Sequence, residues 1–254
     1  MIFRSSFEVF IQLSYFESRL PVKLEDIKNV QNRLEFCEKL GIRNVILEYN
    51  GNSKIIPLNF KKKIEKELHI NLFYRSNLRT DDFEEFKTRL KKFNKVSDII
   101  SVESVNKDVQ LYAAKDSRVD IVSFSDKRII KSISPGVISL TKQNNSFIEF
   151  SLAPIMESNK VLQSKNFRNL YRFINLARKL KANYIISGNF INLFDLRHPR
   201  ALISVCHTLL GIPFDSLKKA FITNPKIMVR KARERKFEEV ENGVKIIKEV
   251  VENS

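Results

Sequence analysis

The chain contains 254 residues, of which 43% are hydrophobic, and 45 Lys and Arg against 29 Asp and Glu give it a formal net charge of +16. This hydrophobic content is enough to build a sizeable core. Cys37 and Cys206 lie far apart without a CxxC spacing, which argues against a disulfide framework or a zinc knot and favours two small core residues. No run approaches the roughly 18 apolar residues of a membrane span, and residues 1–20 do not resemble a signal peptide, so we expect a cytoplasmic protein without membrane contact.

Short apolar runs in chain order predict seven buried strands. Most runs are four to seven residues long and rich in Val, Ile and Phe, which suits strands covered on both faces. The runs lie at residues 7–13, 44–49, 70–74, 98–102, 119–124, 147–152 and 184–187.

Amphipathic stretches between these runs predict helices. They lie at residues 27–40, 81–93, 106–115 and 166–180. Alternation of strands and helices at this pitch indicates a parallel sheet, and seven repeats without a dinucleotide glycine fingerprint favour a closed barrel. The pattern loosens at residues 125–145 and again after residue 188, where the strand count stays open.

The chain turns helical from residue 199. Helices are predicted at 199–210, at 215–221 and from 225 to 251, the last with an apolar stripe. The stripe consists of Phe237, Val240, Val244, Ile247 and Val251. We therefore predict a single α/β chain with a TIM-barrel-like domain at residues 1–225 and, at residues 226–254, a C-terminal helix that packs on the barrel or extends it.

Histidines offer no metal site. His69, His198 and His207 are the only three, and none lies in an HxH or HExxH pattern. His207 is flanked by apolar residues and is interpreted as an interior or half-buried side chain. No nucleophile motif is present either.

Four carboxylates fall where a barrel enzyme would use them. The predicted strands place Glu48, Glu103 and Asp126 at strand C-terminal ends and Glu149 within a strand. One interpretation is a magnesium site. The other is that Glu103 and Glu149 pair with Arg or with Ser hydroxyls inside the barrel. We favour the second and predict no catalytic residue and no metal ligand.

Positive charge is concentrated at residues 135–236, with 18 Lys and Arg against 5 Asp and Glu. A folded body with so many unpaired cations usually binds a polyanion, and nucleic acid is the default partner. A basic proteome background is the alternative explanation. Arginine forks bind phosphates, so cations at loop–strand junctions and helix starts are the RNA-binding candidates. These are Arg75, Arg79, Arg118, Lys127, Arg128, Arg197, His198, Arg200, Lys226 and Arg230.

Several segments together resemble a known family. Residues 118–124, 147–151 and 185–188, followed by Leu196-Arg197-His198-Pro199, resemble the archaeal family of RNase P protein component 3. The resemblance covers roughly residues 7–225. It departs from the family in the predicted first strand, where an Asp is usual and this chain reads Phe10-Ile11-Gln12-Leu13.

The resemblance implies a barrel related to metal-dependent phosphoesterase barrels but without their histidine ligands. It implies a protein subunit of ribonuclease P, the endonuclease that removes 5′ leaders from precursor tRNA, with RNA contact at Arg118 and Arg197. In that enzyme the RNA subunit performs hydrolysis and requires Mg²⁺, so no cofactor is expected on the protein. The implied partners are RNase P RNA, protein component 2 and other protein subunits, and indirectly precursor tRNA.

Two other functions remain open from the residues. One is a stand-alone magnesium-dependent phosphoesterase or nuclease that uses the barrel carboxylates. The other is a scaffold that binds only proteins, in which the positive charge is incidental.

Overall fold

Seven parallel strands form one sheet in the computed structural model, which describes residues 14–23, 26–49, 58–93, 99–126, 128–241 and 244–247. Each strand pairs with the next one along the chain, so the order in the sheet is the order in the sequence. The strands are β1 (Phe16–Val22), β2 (Asn44–Tyr49), β3 (Asn71–Arg79), β4 (Ile99–Glu103), β5 (Ile121–Phe124), β6 (Phe147–Ser151) and β7 (Tyr184–Ser187). The first and last strands also contact each other, so the predicted barrel is confirmed as nearly closed.

Helices cover the outside of the sheet. Those that connect consecutive strands are α1 (Ile27–Lys39), α2 (Leu58–Glu67), α3 (Phe83–Phe93), α4 (Lys107–Lys115), α5 (Pro135–Gln143) and α6 (Lys160–Lys179). After β7 come α7 (Pro199–Thr208), α8 (Phe214–Lys218), a π-helical turn (Lys219–Thr223) and α9 (Asn224–Phe237). Cys37 and Cys206 are buried and free, as predicted. No helix among the described residues is long and apolar enough to cross a lipid bilayer.

Two helices were not predicted. Helix α5 lies in the loosened stretch at 125–145, and its start carries a recognisable signal: the Ser134 hydroxyl accepts a hydrogen bond from the Val137 amide, and Pro135 occupies the first helical position. Helix α2 is the other. The described residues of 125–145 contain no strand.

The first strand of the sheet comes later than predicted. Residues 7–13 lie outside the described residues, and the strand that pairs with β2 is β1. Glu17 and Arg19 interrupt the apolar pattern of β1, yet both side chains are buried. Buried charges with internal partners therefore hid a strand that hydrophobicity alone did not show.

The prediction of a helix to residue 251 was wrong at residues 238–241 and 244–247. Helix α9 ends at Phe237, and β8 (Glu238–Glu241) then pairs antiparallel with β9 (Val244–Ile247). The sequence between these strands is Asn242-Gly243, a dipeptide that strongly favours a two-residue hairpin connection. Residues 248–254 lie outside the described residues.

The N-terminal end of the barrel interior is a small apolar cluster. Each strand contributes one side chain to it: Phe16, Ile46, Phe73, Ile99, Ile121, Phe147 and Ile185. Met228, Val229 and Ala232 of α9 complete this cluster, so α9 closes the N-terminal mouth of the barrel. A much larger apolar cluster lies between the sheet and the surrounding helices.

The side chain of Glu17 bridges the seam between β1 and β7. Its Oε1 accepts hydrogen bonds from the Gly188 amide at 3.0 Å and from the Arg19 amide at 3.2 Å. A Cβ at position 188 would lie 2.7 Å from Glu17 Oε2 and 2.7 Å from the Phe190 ring, so a larger residue would have to displace both side chains. The register of β1 also shifts between Glu17 and Leu20, an irregularity typical of a β-bulge.

Candidate functional site

A polar layer lies directly above the apolar cluster inside the barrel. Side chains two residues apart on a strand share one face, so each strand from β2 to β7 follows its apolar residue with an inward polar one. These are Glu48, Arg75, Ser101, Ser123, Glu149 and Ser187, all buried. The register shift in β1 places Arg19 in the same layer, three residues after Phe16 rather than two.

Arg19 is the hub of this layer. Its Nη1 lies 2.7 Å from Glu103 Oε1, and its Nη2 donates to Glu48 Oε1 at 2.9 Å. Its Nε lies 2.8 Å from Glu48 Oε2, and Nη1 is 3.5 Å from Glu149 Oε2. One guanidinium therefore contacts three carboxylates from three other strands.

Arg75 provides the second cation. Its Nη1 and Nη2 donate to the two oxygens of Glu149 at 2.8 Å and 2.5 Å, and its Nε donates to Ser101 Oγ at 2.7 Å. Arg75 is 0% exposed. The prediction that it binds RNA was wrong, because it lies two residues after Phe73 on the inward face of β3 and its guanidinium is fully used inside the barrel.

Glu103 and Glu149 are held in their charged form. Burial alone would raise the pKa of Glu103, but Arg19 outweighs it, helped by Arg79 at the mouth of the barrel and by Ser125, so the pKa lies well below its usual range. Burial would also raise the pKa of Glu149, but Arg75 and Arg19 outweigh it, so this pKa too lies below its usual value. The interpretation that Glu103 and Glu149 pair with Arg and Ser inside the barrel is confirmed.

The donor set does not suit a divalent cation. The described residues include no group of three or more His, Cys, Asp or Glu that could hold a metal ion. Two guanidinium groups already occupy the space between the three interior carboxylates, so a metal ion would have to displace them. Asp126 lies apart and bonds locally, accepting the Arg128 amide at 2.6 Å.

Arg19 escaped the sequence prediction. It lies in a segment that was not assigned to a strand, and no carboxylate stands near it in sequence except Glu17. The usable signal was the alternation in later strands, where an apolar residue is followed two positions on by a polar one, as in Ile99 and Ser101.

Glu17 differs electrostatically from the other interior carboxylates. Burial raises its pKa from 4.5 to about 7, against the lowering effect of the hydrogen bonds from the Arg19 and Gly188 amides. Glu149 adds to the increase and Arg33 opposes it. Glu17 thus titrates near neutrality at the seam of the barrel.

One group of predicted RNA-binding residues follows strand C-terminal ends. Arg79 contacts Glu103, yet 58% of its side chain is exposed, and the side chain of Arg128 is 81% exposed. Arg197 and Arg200 are exposed after β7. His198 caps α7, its Nδ1 accepting the Arg200 amide at 3.1 Å.

A second group lies at the N-terminal end of the barrel. Arg118 precedes β5 and forms a bidentate pair with Asp116, at 2.8 Å and 2.6 Å. Lys226 and Arg230 lie on α9, the helix that closes the N-terminal mouth. The predicted residues therefore do not form one site, and their contact with RNA stays a prediction. Lys127 lies outside the described residues.

His207 has a structural environment. Its ring is half-buried, its Nδ1 lies 2.9 Å from the Ile212 carbonyl oxygen, and it packs on Phe214 with ring centroids 3.9 Å apart. The interpretation of His207 as a half-buried, satisfied residue is confirmed.

Known sequences similar to this chain are subunits of one enzyme. The model of the family described as RNase P subunit p30 matches residues 14–237. Ribonuclease P protein component 3 of Methanosarcina barkeri is 24% identical over 62% of this chain and 65% of that protein. The protein of the same name from Methanococcoides burtonii is 23% identical over 57% of this chain and 60% of that protein. The matches thus span a little under two-thirds of each relative.

Solved structures share the fold. A chain in the cryo-EM structure of archaeal ribonuclease P with mature tRNA superposes with a TM-score of 0.72 at 20% identity, covering 93% of this chain and 100% of that one. Organophosphorus hydrolase from Deinococcus radiodurans has a TM-score of 0.55 at 10% identity, covering 86% of this chain and 93% of that one. The predicted similarity to hydrolase barrels is confirmed at the level of fold.

Proposed function

The chain belongs to the RNase P subunit p30 family, and from this we propose that it acts as a protein subunit of ribonuclease P. In this role it binds and supports the catalytic RNA while the 5′ leader is removed from precursor tRNA. Catalysis then belongs to the RNA subunit, with Mg²⁺ held by RNA and not by this protein.

The observation that carries the proposal is the saturated barrel interior. A hydrolytic site built on the barrel carboxylates needs at least one of them free to bind a metal ion or to take a proton. Glu48, Glu103 and Glu149 instead share Arg19 and Arg75, which occupy the space that a metal ion would need. A barrel of hydrolase type with this interior is suited to act as a rigid body.

Exposed cations supply the contact with RNA. Arg128 and Arg197 are exposed in connecting segments at the C-terminal end, and Arg230 is exposed on α9 at the N-terminal end. RNA helices are recognised largely through phosphates and shape, which requires positive groups on a rigid frame. Such binding weakens steeply as salt rises.

A protein partner is part of the proposal. We place protein component 2 and other subunits beside this chain in the enzyme. Ile191 and Phe194, 76% and 85% exposed, support a protein contact near the C-terminal end of the barrel, since large exposed apolar side chains favour interfaces.

Reconstitution tests the proposal. Purified RNase P RNA and the other protein subunits are incubated with Mg²⁺ and precursor tRNA, with and without this chain, and 5′ processing is measured. We expect the chain to accelerate processing and to cleave nothing alone.

Two results would contradict the proposal. Cleavage of precursor tRNA by the chain alone, lost in Glu149→Gln, would establish the carboxylate nuclease. No effect on processing, together with RNA binding that is absent or insensitive to salt, would favour the protein-binding scaffold.

A further inference from the structure

Two open pockets flank the C-terminal half of α6. The first, about 670 Å³, lies between α6, the residues that precede β7, and the start of α9. The second, about 760 Å³, lies between α6 and the start of α5. Asn175 and Lys179 line both, so the two pockets adjoin along α6, and together they are called the α6 groove.

All charged side chains that line the α6 groove are positive. Its cations are Lys131, Arg172, Arg178, Lys179, Lys181 and Lys219, and no Asp or Glu lines either pocket. Within the part of the chain that the structure describes, none of the six lies within 4.0 Å of a carboxylate. Helix α6 itself contains no Asp or Glu over its 20 residues. Among the described residues, no ion pair offsets the mutual repulsion of these cations, as at a surface that meets a polyanion.

Local contacts hold part of the groove in place. The Arg178 Nη1 donates to Asn175 Oδ1 at 2.9 Å, and the Asn224 amide Nδ2 donates to the Tyr184 carbonyl at 2.7 Å. The Arg172 guanidinium lies 5.5 Å from the Phe173 ring. Positioned donors lose less conformational freedom when they bind, which favours affinity.

The lining favours RNA over an acidic protein. Amide side chains accompany the cations, at Asn169, Asn175 and Asn183, and such groups donate to phosphate oxygens and ribose hydroxyls. The core of a protein interface is instead depleted of Lys and enriched in exposed aromatic anchors. The aromatic lining residues Phe173 and Tyr184 are buried.

We propose that the α6 groove binds the sugar–phosphate backbone of a structured RNA. None of the ten residues predicted from the sequence lines it. Arg172 and Lys179 are seven residues apart, about 10 Å along the helix axis, which spans more than one nucleotide. The inference rests on the proposed function, since RNase P RNA is the RNA that the groove would contact.

A triple variant tests the groove. Arg172→Gln, Lys179→Gln and Lys219→Gln replace three exposed cations, so the fold is preserved. The matched control is Lys62→Gln, Lys63→Gln and Lys66→Gln, three exposed cations of α2, which lies between β2 and β3 and not beside β7. Both variants lose the same net charge.

The affinity for RNase P RNA is measured from 0.05 to 0.4 M KCl, and the thermal unfolding of the groove variant and of the control variant is recorded to check that both are folded. We expect the groove variant to bind at least tenfold more weakly near 0.1 M salt, with the slope of log affinity against log salt smaller by about 2, since each lost phosphate contact removes roughly 0.7–0.9. The control should change affinity by less than about threefold, as exposed charges away from the contact act only through screened fields. Stimulation of processing should fall in the groove variant only.

Four outcomes would overturn the inference. If the groove variant keeps its affinity and salt slope while the wild-type chain stimulates processing, the groove does not contact RNA. The proposed function would then still hold. Unchanged RNA affinity with lost binding to another purified subunit would make the groove a protein interface. An equal loss of RNA affinity in the control variant would show that the effect comes from the change in net charge and not from the groove. A wild-type chain that neither binds RNA nor stimulates processing would instead refute the proposed function, and the inference with it.

Discussion

Arg19 and Arg75 lie among three buried carboxylates, and each of these charges depends on the others. Replacing a whole buried network by apolar residues is often neutral, whereas removal of one partner leaves an uncompensated charge and costs about 3–5 kcal/mol. The interior of this barrel is therefore sensitive to single changes.

Arg75→Met should lower the free energy of unfolding by about 3–5 kcal/mol, because Glu149 loses its bidentate partner in a fully buried site. Urea denaturation measures this. Arg128→Met is the matched control: its side chain is 81% exposed, and we expect a change below about 0.5 kcal/mol. Equal stability of both variants would show that Arg75 is not part of a buried network.

The residue chemistry of the interior was predicted in part. Pairing of Glu103 and Glu149 with Arg and Ser followed from sequence, because carboxylates surrounded by cations favour ion pairs. Which arginines act did not follow. Arg75 was assigned to a loop–strand junction because the predicted strand ended at residue 74, whereas β3 continues to Arg79 and carries Arg75 on its inward face. Arg19 depends on a register shift that has no local sequence mark.

Glu17 should make stability fall as pH rises through the range from about 4.5 to about 7. Its pKa is raised to about 7 in the folded chain by burial, so between these values the folded state holds a proton that the unfolded state has lost. The penalty for ionising it should approach about 3 kcal/mol above pH 7. The groups that face it electrostatically are Arg33, Glu149, Tyr15 and Cys37.

Glu17→Gln removes this titration. We expect the unfolding free energy of Glu17→Gln, relative to wild type, to increase from pH 5 to pH 8 by about 2–3 kcal/mol in urea denaturation. Taking the difference cancels the groups common to both proteins, including Glu103 and Glu149, whose lowered pKa values act at lower pH. A difference independent of pH would mean that Glu17 is ionised throughout.

At the scale of elements, α9 has one face that is rich in Lys and Arg and another that packs on the barrel. Its cations dominate the composition, yet Met228, Val229 and Ala232 complete the apolar cluster at the N-terminal mouth of the barrel. An exposed basic face and a buried closing face thus share 14 residues. Helix α9 also contacts the segment before β5, because Arg235 forms a bidentate ion pair with Asp120, the residue that precedes β5, at 2.9 Å and 2.8 Å.

Met228→Ala should lower the free energy of unfolding by about 2–4 kcal/mol, because a fully buried side chain is removed and a cavity remains. Ile227→Ala, at the neighbouring position and 40% exposed, should cost clearly less, about 1 kcal/mol. Chemical denaturation of the two variants makes the comparison. A larger loss in Ile227→Ala would place the other face of α9 against the barrel.

Element boundaries were predictable where hydrophobicity decides them. Strands β2 and β7 have the predicted bounds, since both are short runs dominated by Val, Ile, Leu and Tyr. The misses have different causes. Charged side chains with partners on distant strands masked β1, and periodicity favoured a helix where the Asn242-Gly243 turn signal should have taken precedence over the apolar stripe.

At the scale of the whole molecule, the barrel neutralises its interior and leaves its exterior positive. Cations lie at the C-terminal end, at the N-terminal end and along the α6 groove, on three separate surfaces. A rigid body with several positive faces is suited to hold more than one RNA segment, whereas a single catalytic cleft would concentrate function at one mouth.

The response to Mg²⁺ distinguishes a rigid RNA-binding barrel from a barrel with a metal-dependent catalytic site. The isolated chain should melt within about 1 °C in 10 mM MgCl₂ and in EDTA at matched ionic strength, because any ion entering the barrel must displace Arg19 or Arg75. A site with a dissociation constant near 0.1 mM would add about 2.7 kcal/mol under these conditions, which is about 5 °C or more for a chain of this size. Such an increase in melting temperature, if it were abolished in Glu149→Gln, would support the alternative of a magnesium-dependent nuclease that uses the barrel carboxylates. Without it, the Mg²⁺ dependence of the reconstituted enzyme would lie outside this chain.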